Sequence, residues 1–367
     1  MKNKDKILFV VGSLNQTTQM HQIASYLKNE YDCYFTQFYS VNPIIYWFIK
    51  KGFFHKTIFA GNFAKQSQAY LKKHGENIDY RALQHLDEYK LVYMCTDMFI
   101  PENLKKHPKI WVQEGMIDQS RWRSKVVKKL GLPAVLGDGT ALNGSSNVCD
   151  VYCTLSEGYN HRLKKLGTDE DKLICTGVPN FDNCVQYLNN DFPHKGHVLV
   201  ATSDIRELGG HEDRLSFIKR CTEIAGDKQL IFRLHPNEDK RRAFKEIRAI
   251  TPPNTLVFTE GNTNHMVANC DILITQWSSV VYVGIALGKK IYSFFDQDEL
   301  FRQAPLQTNG HSAYIIAQLG KEYINHKGSK KDLYHKLKSL TTQLIDKALL
   351  NEDNNNRASP DRLKQAS

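Results

Sequence analysis

The sequence predicts an α/β protein with two Rossmann-like domains that face a cleft. Short apolar runs alternate with helical segments in both halves, and most of these runs end in glycine or polar residues. The chain has 367 residues, which is longer than one hydrophobic core usually supports. We therefore expect an N-terminal domain over 1–190, a C-terminal domain over 196–350 and a disordered tail over 351–367, with the boundary in the polar segment Asn189–Lys195.

The first half contains a series of strand candidates. Lys6–Val11 is an apolar run followed by the glycine-led turn GSLNQTTQ and a helix to about Lys28. The further strand candidates are Cys33–Phe38, Tyr89–Cys95, Ile110–Gln113, Val148–Thr154 and Leu173–Gly177.

The second half shows a clearer alternation, which indicates a parallel sheet with right-handed crossovers. The predicted strands are His197–Thr202, Gln229–Leu234, Thr255–Thr259, Asp271–Thr275 and Lys290–Phe294. The predicted helices are Glu212–Ala225, Lys240–Ile250, Asn262–Asn269, Ser278–Leu287 and, after the last strand, Leu333–Leu349.

Composition narrows the class of protein. No apolar run reaches the ~18 to 20 residues of a membrane span, and the short run after MKNKDK reads as a core strand rather than a signal peptide. Eight scattered cysteines without a CxxC pair favour a reduced, cytoplasmic protein. The net charge of +10 suits an anionic lipid surface or a phosphorylated substrate, and a soluble enzyme with excess lysine explains it equally well. No nucleic-acid-binding motif is present.

The segment IFRLHPNE places a His-Pro pair at a strand end. Pro236 fixes its own φ and favours an extended His235, whose imidazole then projects from the strand tip. The ordinary pKa of histidine lies near neutral, so His235 can donate to a phosphate or protonate a leaving group. A histidine bonded to loop carbonyls is the structural alternative.

Ser278 and Ser279 follow the predicted strand Asp271–Thr275 and are predicted to open a helix. Hydroxyls beside free N–H groups at a helix N-terminus suit a phosphate, although simple N-capping would also explain them.

Glu114 follows a strand in the first half and precedes a glycine, so its carboxylate could act as a general base. Asp118 is a second candidate, and an ion pair with a nearby cation is the alternative role for Glu114. Donor-binding candidates at other strand ends are Thr202, Ser203, Asp204, Glu260 and Asn264.

QEG at 113–115, HP at 235–236 and SS at 278–279 together resemble the motifs of GT-B-fold transferases. The groups concerned are bacterial sialyltransferases, capsule Kdo transferases and CDP-glycerol glycerophosphotransferases. The segment ITQWSSVVYVGIALGKKIYSFFD is similar to the end of a glycerophosphotransferase donor domain, and Ser156–Asn183 to the linking part of GT-B transferases and nucleotide-sugar 2-epimerases. The first position of the family motif is acidic, whereas this chain has Gln113 there. The resemblance therefore implies Glu114, the second position, as the general base.

The resemblance implies metal-independent, inverting transfer from a CMP- or CDP-linked donor to a saccharide or lipid-linked acceptor, in surface polysaccharide or glycolipid synthesis. It implies no cofactor and no metal. Glycerol phosphate remains an alternative transferred group. A nucleotide-sugar 2-epimerase of the UDP-GlcNAc type and a non-catalytic nucleotide-binding protein are the other readings.

An aromatic and basic segment, residues 43–63, suits either a core edged by lysines or a membrane interface. It contains Lys50, Lys51, His55 and Lys56, and the basic stretch 120–131 is a second candidate. The interfacial alternative adds an anionic membrane surface as a partner, with peripheral attachment at the inner face of the cell membrane.

Overall fold

The computed structural model describes residues 4–53, 57–207 and 209–357, with side chains described as far as residue 350. It consists of two compact units, Met1–Asp182 together with Thr308–Ser367, and Asn183–Gln307. Both units are α/β, as the sequence predicts.

The strands and helices follow one another in alternation. The strands are β1 Lys6–Val11, β2 Asp32–Gln37, β3 Asn77–Ile78, β4 Tyr89–Met94, β5 Lys109–Val112, β6 Val151–Thr154, β7 Leu173–Cys175, β8 His197–Ala201, β9 Leu230–Arg233, β10 Leu256–Phe258, β11 Cys270–Thr275 and β12 Lys290–Tyr292. The α-helices are α1 Leu14–Ser25, α2 Pro43–Lys50, α3 Gly61–Lys73, α4 Trp122–Lys129, α5 Glu157–Lys165, α6 Arg214–Ala225, α7 Lys240–Ile250, α8 Thr263–Asn269, α9 Val281–Ala286, α10 Gln297–Arg302, α11 Ser312–Asn325 and α12 Lys330–Arg357.

The first unit is built on a seven-stranded sheet with the order β3-β2-β1-β4-β5-β6-β7. All its strand pairs are parallel. Every residue of β1 is buried, because helices cover both faces of the sheet centre. This burial explains why β1 is an uninterrupted apolar run rather than an alternating one.

The second unit is built on a five-stranded parallel sheet with the order β10-β9-β8-β11-β12. Val198, Val200 and Phe232 of this sheet pack with Phe217 and Ile218 of α6 in a buried cluster. Aspartates cap the adjoining helices, since Asp213 accepts from Ser216 N–H and Asp239 from Arg242 N–H.

The predicted strands are confirmed to within a few residues at each end. Several helices were not predicted, above all α2 and α3, because the aromatic and lysine-rich segment 43–63 was interpreted as a core edge or a membrane interface without a helix assignment. The helix expected over Ser278–Leu287 is shorter, since α9 covers only Val281–Ala286. His55 and Lys56 lie outside the described residues.

The chain crosses between the units twice, so the unit limits differ from the expected limits of 190 and 196–350. The buried carboxylate of Asp182 fixes the return crossing by accepting from Thr308 N–H and hydroxyl, both at 2.6 Å, and from Ser312 N–H at 2.9 Å. Helices α11 and α12 then pack on the first sheet rather than the second. The tail expected from 351 begins inside α12, and residues 358–367 lie outside the described part of the chain.

Among the described residues, no helix combines the length and the apolar character needed to span a bilayer.

Gly320 of α11 allows the C-terminal helix to approach β4 closely. A Cβ at this position would overlap the hydroxyl oxygen of Tyr93 and lie 2.9 Å from its ring Cζ. The Tyr93 hydroxyl donates to the carbonyl of Ile316 at 3.3 Å. The sheet and the helix are therefore fitted to each other at this point.

We expect Gly320→Ala to lower the free energy of unfolding by ~1 to 3 kcal/mol through overpacking, measured by urea denaturation. Tyr93→Phe in the same chain removes the overlapping oxygen and should recover part of the loss. If the double variant were no more stable than Gly320→Ala alone, the proposed contact would not be the cause.

Candidate functional site

Each sheet reverses its strand order at one point, between β1 and β4 in the first and between β8 and β11 in the second. Ligands of open α/β sheets bind beyond the carboxyl ends of the strands at such points.

In the first unit, the turn after β1 leads directly into α1. Gly12 is needed there because a Cβ would lie 2.5 Å from Cβ of Ile58 and 3.1 Å from Oε1 of Gln16. Ser13 caps the helix by accepting from Gln16 N–H at 3.1 Å. The turn therefore presents Ser13 and Gln16 at the carboxyl edge.

Glu114, which follows β5, is held by these same two residues. Its Oε1 accepts from Ser13 Oγ at 2.9 Å, and its Oε2 accepts from Gln16 Nε2 at 2.7 Å. Within the described part of the chain, no lysine or arginine forms an ion pair with it. The carboxylate is thus oriented by neutral donors, and the ion-pair alternative is not what the structure shows.

Burial raises the pKa of the Glu114 carboxyl above the ordinary glutamate value, and the hydrogen bonds from Gln16 and Ser13 oppose this shift without cancelling it. A carboxylate with a raised pKa binds a proton more readily. This is the property that a general base near neutral pH requires.

Gln113, the residue that departs from the acidic motif, is completely buried. Its Oε1 accepts from Leu155 N–H at 3.0 Å, and its Nε2 donates to the carbonyl of Gly115 at 2.8 Å. It therefore shapes the strand end and does not reach the edge. Asp118 is also engaged, since its Oδ2 accepts from the Thr140 N–H and hydroxyl at 2.8 and 2.9 Å.

In the second unit, His235 follows β9 at the carboxyl edge. Its side chain is about one-third exposed, and its Nδ1 lies 3.5 Å from Oδ2 of Asp204. The backbone N–H of Asn237 points at the same nitrogen at 3.3 Å, and the Asn237 amide donates to Asp204 at 3.1 Å. His235 thus lies at the strand end from which it was predicted to project, and its contact with Asp204 was not foreseen.

One ring nitrogen cannot donate and accept at once, so the two partners of Nδ1 serve different protonation states. The Asn237 N–H pairs with a neutral ring that carries its proton on Nε2, and Asp204 pairs with the imidazolium. Both of these states carry a hydrogen on Nε2, whereas a neutral ring with its proton on Nδ1 donates to Asp204 and has an acceptor at Nε2. Nε2 makes no hydrogen bond to the described residues, so the ring presents it to a ligand as a donor in the first two states and as an acceptor in the third.

A buried charge network lies beneath His235. The His235 N–H donates to Thr202 Oγ1 at 3.0 Å, and Thr202 Oγ1 donates to Glu238 at 2.5 Å. Glu238 pairs with Arg214 at 2.6 Å, and burial raises the pKa of the Glu238 carboxyl.

The network continues to the neighbouring strand end. Arg214 also pairs with Glu212, which accepts from Gln276 Nε2 at 2.6 Å. Thr202 therefore has a supporting role. No local pattern pointed to Glu238, Arg214 or Glu212, because the network joins segments that are far apart in sequence.

Ser278 and Ser279 follow β11 at the same edge, but they do not open the helix as predicted. Helix α9 begins at Val281, and its N-cap is Val280 without a side-chain cap. The carbonyls of Ser278 and Ser279 accept from Val281 and Tyr282 N–H, so the chain forms a tight turn before the helix. The predicted helix start at Ser278 is therefore wrong, while the phosphate site at these serines stays a prediction, and both residues are partly exposed.

Ser203 and Trp277 join the ends of β8 and β11. Ser203 Oγ donates to the Trp277 carbonyl at 3.4 Å. The exposed Trp277 ring makes edge contacts with Phe294 at 5.9 Å and Phe295 at 4.8 Å. Such an aromatic surface can stack a base or a sugar, and the sequence reasoning overlooked it.

The remaining candidates lie at the β10 side of this sheet. Glu260 is exposed, and Asn264 sits in the first turn of α8, where its side chain bonds to Tyr187. Arg233 donates to the carbonyls of Leu234 and Thr259 and so ties the ends of β9 and β10 together.

Pro236 is exposed next to His235. Asp296 caps α10 by accepting from Glu299 N–H at 2.8 Å.

Glu114→Gln should change how stability depends on pH. A raised pKa means that the folded protein holds the proton more tightly than the unfolded chain, so ionised Glu114 lowers stability above the ordinary value of 4.5. The variant lacks this loss. We expect its free energy of unfolding, relative to the wild type, to increase from pH 4.5 toward neutral.

Urea denaturation at a series of pH values measures this difference. Glu223→Gln, at an exposed position of α6, is the matched control for the loss of one carboxylate. If the difference in the free energy of unfolding changed with pH no more for Glu114→Gln than for this control, the raised pKa of the Glu114 carboxyl would be contradicted.

Searches of protein-family models and of curated proteins found no match to this chain. Solved structures do match. The UDP-bound structure of MnaA from S. aureus is 14% identical, covers 95% of this chain and 97% of its own, and has a TM-score of 0.53. The UDP-GlcNAc 2-epimerase from Neisseria meningitidis bound to UDP-GlcNAc is 12% identical over 94% and 100%, with a TM-score of 0.51.

A putative UDP-N-acetylglucosamine 2-epimerase from Listeria monocytogenes is 11% identical over 92% of this chain and 91% of its own, with a TM-score of 0.51. Identities of this size establish the fold and not the reaction. The chain has the GT-B-like fold of these proteins, as the sequence resemblance implied.

Proposed function

We propose that this protein is a metal-independent, inverting glycosyltransferase that uses a CMP- or CDP-linked donor. The observation that carries the proposal is the position of His235. Its Nε2 is presented at the carboxyl edge of the second sheet, while its Nδ1 contacts Asp204 Oδ2 and the Asn237 N–H. The HP and SS motifs favour a cytidine nucleotide through the resemblance already described. Surface polysaccharide or glycolipid synthesis is the proposed setting, at the cytoplasmic face of the membrane.

The donor phosphate is assigned to the edge around His235. A neutral ring with its proton on Nε2 can donate to a phosphate oxygen, and an imidazolium paired with Asp204 would add positive charge. Ser278 and Ser279, which follow β11, supply further hydroxyl donors. The exposed Trp277 ring offers a stacking surface for the base or the sugar.

Glu114 is assigned the role of base. Its carboxylate takes the proton of the acceptor hydroxyl as the acceptor oxygen attacks the anomeric carbon. The bond from that carbon to the phosphate oxygen breaks, and the nucleotide leaves with the electron pair. Donors already in place at the phosphate stabilise the charge that develops there. The raised pKa of Glu114 supports this assignment.

A nucleotide-sugar 2-epimerase is the second candidate. Two of the proteins with the same fold are described with UDP-GlcNAc or UDP bound, which favours a uridine nucleotide in place of a cytidine nucleotide. An epimerase would act on its nucleotide-sugar without an acceptor. Transfer of glycerol phosphate from a CDP-linked donor is a variant of the first candidate.

A thermal-shift series with CMP, CDP, UMP, UDP and GDP tests the donor site. Ligand at ~100 times its Kd should stabilise the fold by ~2.7 kcal/mol, which is a readily measured shift. We expect CMP or CDP to stabilise the wild type and not His235→Ala. His161→Ala, at an exposed position of α5, is the matched control and should respond like the wild type.

The possible outcomes separate the candidates. Preference for UDP would support the epimerase or a uridine-dependent transferase. Equal stabilisation of His235→Ala and the wild type would remove His235 from the phosphate site, and no shift with any nucleotide would contradict the donor site as a whole.

Glu114→Gln should lower acceptor-dependent release of nucleotide by about 10²- to 10⁴-fold, because the acceptor hydroxyl would lose its base. Nucleotide affinity, measured by the same thermal shift, should not change. Glu223→Gln again serves as the control and should keep full turnover. Unchanged turnover in Glu114→Gln would exclude this carboxylate from the mechanism, and turnover without acceptor would favour the epimerase.

A further inference from the structure

We propose that the first unit binds anionic lipid bilayers through two exposed segments. The basic helix consists of α4 with its extension to Leu136, and the aromatic helix consists of α2 with its extension to Phe53. This inference rests on the exposure, spacing and charge of these segments and does not depend on the proposed reaction.

The basic helix exposes an apolar stripe. Trp122, Val126 and Leu130 recur at intervals of four residues, so they lie along one side, and their exposed fractions are 76%, 43% and 65%. The extension adds exposed apolar side chains at Leu132, Val135 and Leu136. A helix that packed on the core would bury such a stripe.

A cationic stripe runs beside the apolar one. Arg121, Lys125 and Lys129 each stand one residue before a member of the apolar stripe, and all three are exposed. The side chains of Lys125 and Lys129 form no ion pair with any other described residue. An apolar stripe flanked by unpaired cations is the pattern of a helix that lies in a membrane interface.

The aromatic helix shows the same chemistry. None of its residues is buried, and Ile44, Trp47 and Phe48 have exposed fractions of 67%, 52% and 37%. Lys50 and Lys51 sit over the rings of Tyr46 and Trp47, at 4.9 and 5.7 Å. Tryptophan and tyrosine beside lysine are typical of the headgroup region.

The charge of both segments selects an anionic bilayer as the occupant. The chain contains no Asp or Glu between Asp32 and Glu76, and none between Asp118 and Asp138. Asp138 lies beside the start of α4, where its Oδ2 accepts from the N–H and the hydroxyl of Ser124, but the two segments themselves carry cations and no carboxylates. Such segments are complementary to acidic headgroups, which attract each nearby lysine or arginine. A protein partner or a second copy of this chain would have to match the same one-sided charge.

Both segments follow strands that end at the same edge of the first sheet. α2 follows β2 and α4 follows β5, and these parallel strands end at the carboxyl edge that also holds Glu114. A bilayer held at these segments would bring a lipid-linked acceptor to that edge.

Co-sedimentation of the full chain with vesicles tests the proposal. We expect binding to vesicles of equal parts phosphatidylserine and phosphatidylcholine, weak binding to pure phosphatidylcholine, and release as salt is added. Lys125→Gln with Lys129→Gln should weaken binding to the mixed vesicles by about 25-fold, at about fivefold for each cation. Trp122→Ala and Trp47→Ala should each weaken it further.

Arg241→Gln with Lys245→Gln is the matched control, because it removes two exposed cations with the same spacing from α7 of the second unit. It should bind vesicles like the wild type. Equal loss in the control would mean that net charge alone attracts the protein, and no binding to mixed vesicles would contradict the proposal. Self-association that Trp122→Ala abolishes would assign the surface to a second copy instead.

The thermal shift with nucleotides separates this inference from the proposed function. The lysine variants should retain the wild-type response, since neither residue belongs to the donor site. Vesicle binding without any nucleotide response would support the membrane-binding surface and contradict the proposed transferase. A nucleotide response without vesicle binding would support the donor site and contradict the membrane-binding surface.

Discussion

All strands within each sheet run in the same direction, and the candidate site depends on this constraint. Parallel pairing brings the carboxyl ends of distant segments to one edge, so that residues far apart in sequence become neighbours. Ser13 and Glu114 meet in this way across the ends of β1 and β5. Thr202 and His235 meet across β8 and β9. Because a strand end cannot continue its ladder, its backbone groups are open to side chains and ligands, which is why polar residues collect there.

The second edge is stabilised by a charge network that water cannot reach. Burying Glu238 and Arg214 costs solvation, and only their mutual pairing with Thr202 and Glu212 offsets it. Removing one partner of such a pair would leave an unpaired buried charge, which typically costs ~3 to 5 kcal/mol. The network therefore holds Thr202, and through it the backbone of His235, in one arrangement. Rigid support of this kind is what an oriented hydrogen-bond donor needs.

The sequence placed the candidate residues at strand ends but did not show their contacts. The His-Pro pair after an apolar run puts a partly exposed imidazole at the carboxyl edge, because proline restricts the residue before it and parallel strands end together, and the binding role of that imidazole stays a prediction. Gln113, which raised a doubt about the acidic motif, is a buried residue that shapes the strand end. The serines were assigned to a helix start, yet local 3₁₀-type bonds form a turn there and delay the helix to Val281. Gln16, Glu238, Arg214 and Trp277 were missed because their partners lie on other segments.

The sequence by itself determined the fold class and nearly all the strands, and it placed the candidate residues at the carboxyl edges of the sheets. These follow from local patterns, since buried parallel strands are apolar runs and the residues after them are polar. The tertiary structure decided which side chains meet, that the last two helices return to the first sheet, and that the stripes of α2 and α4 stay exposed. Hydrophobic periodicity shows that a helix has an apolar side but not whether another element covers it. Only the packing of the whole chain settles that, because burial depends on partners that are distant in sequence.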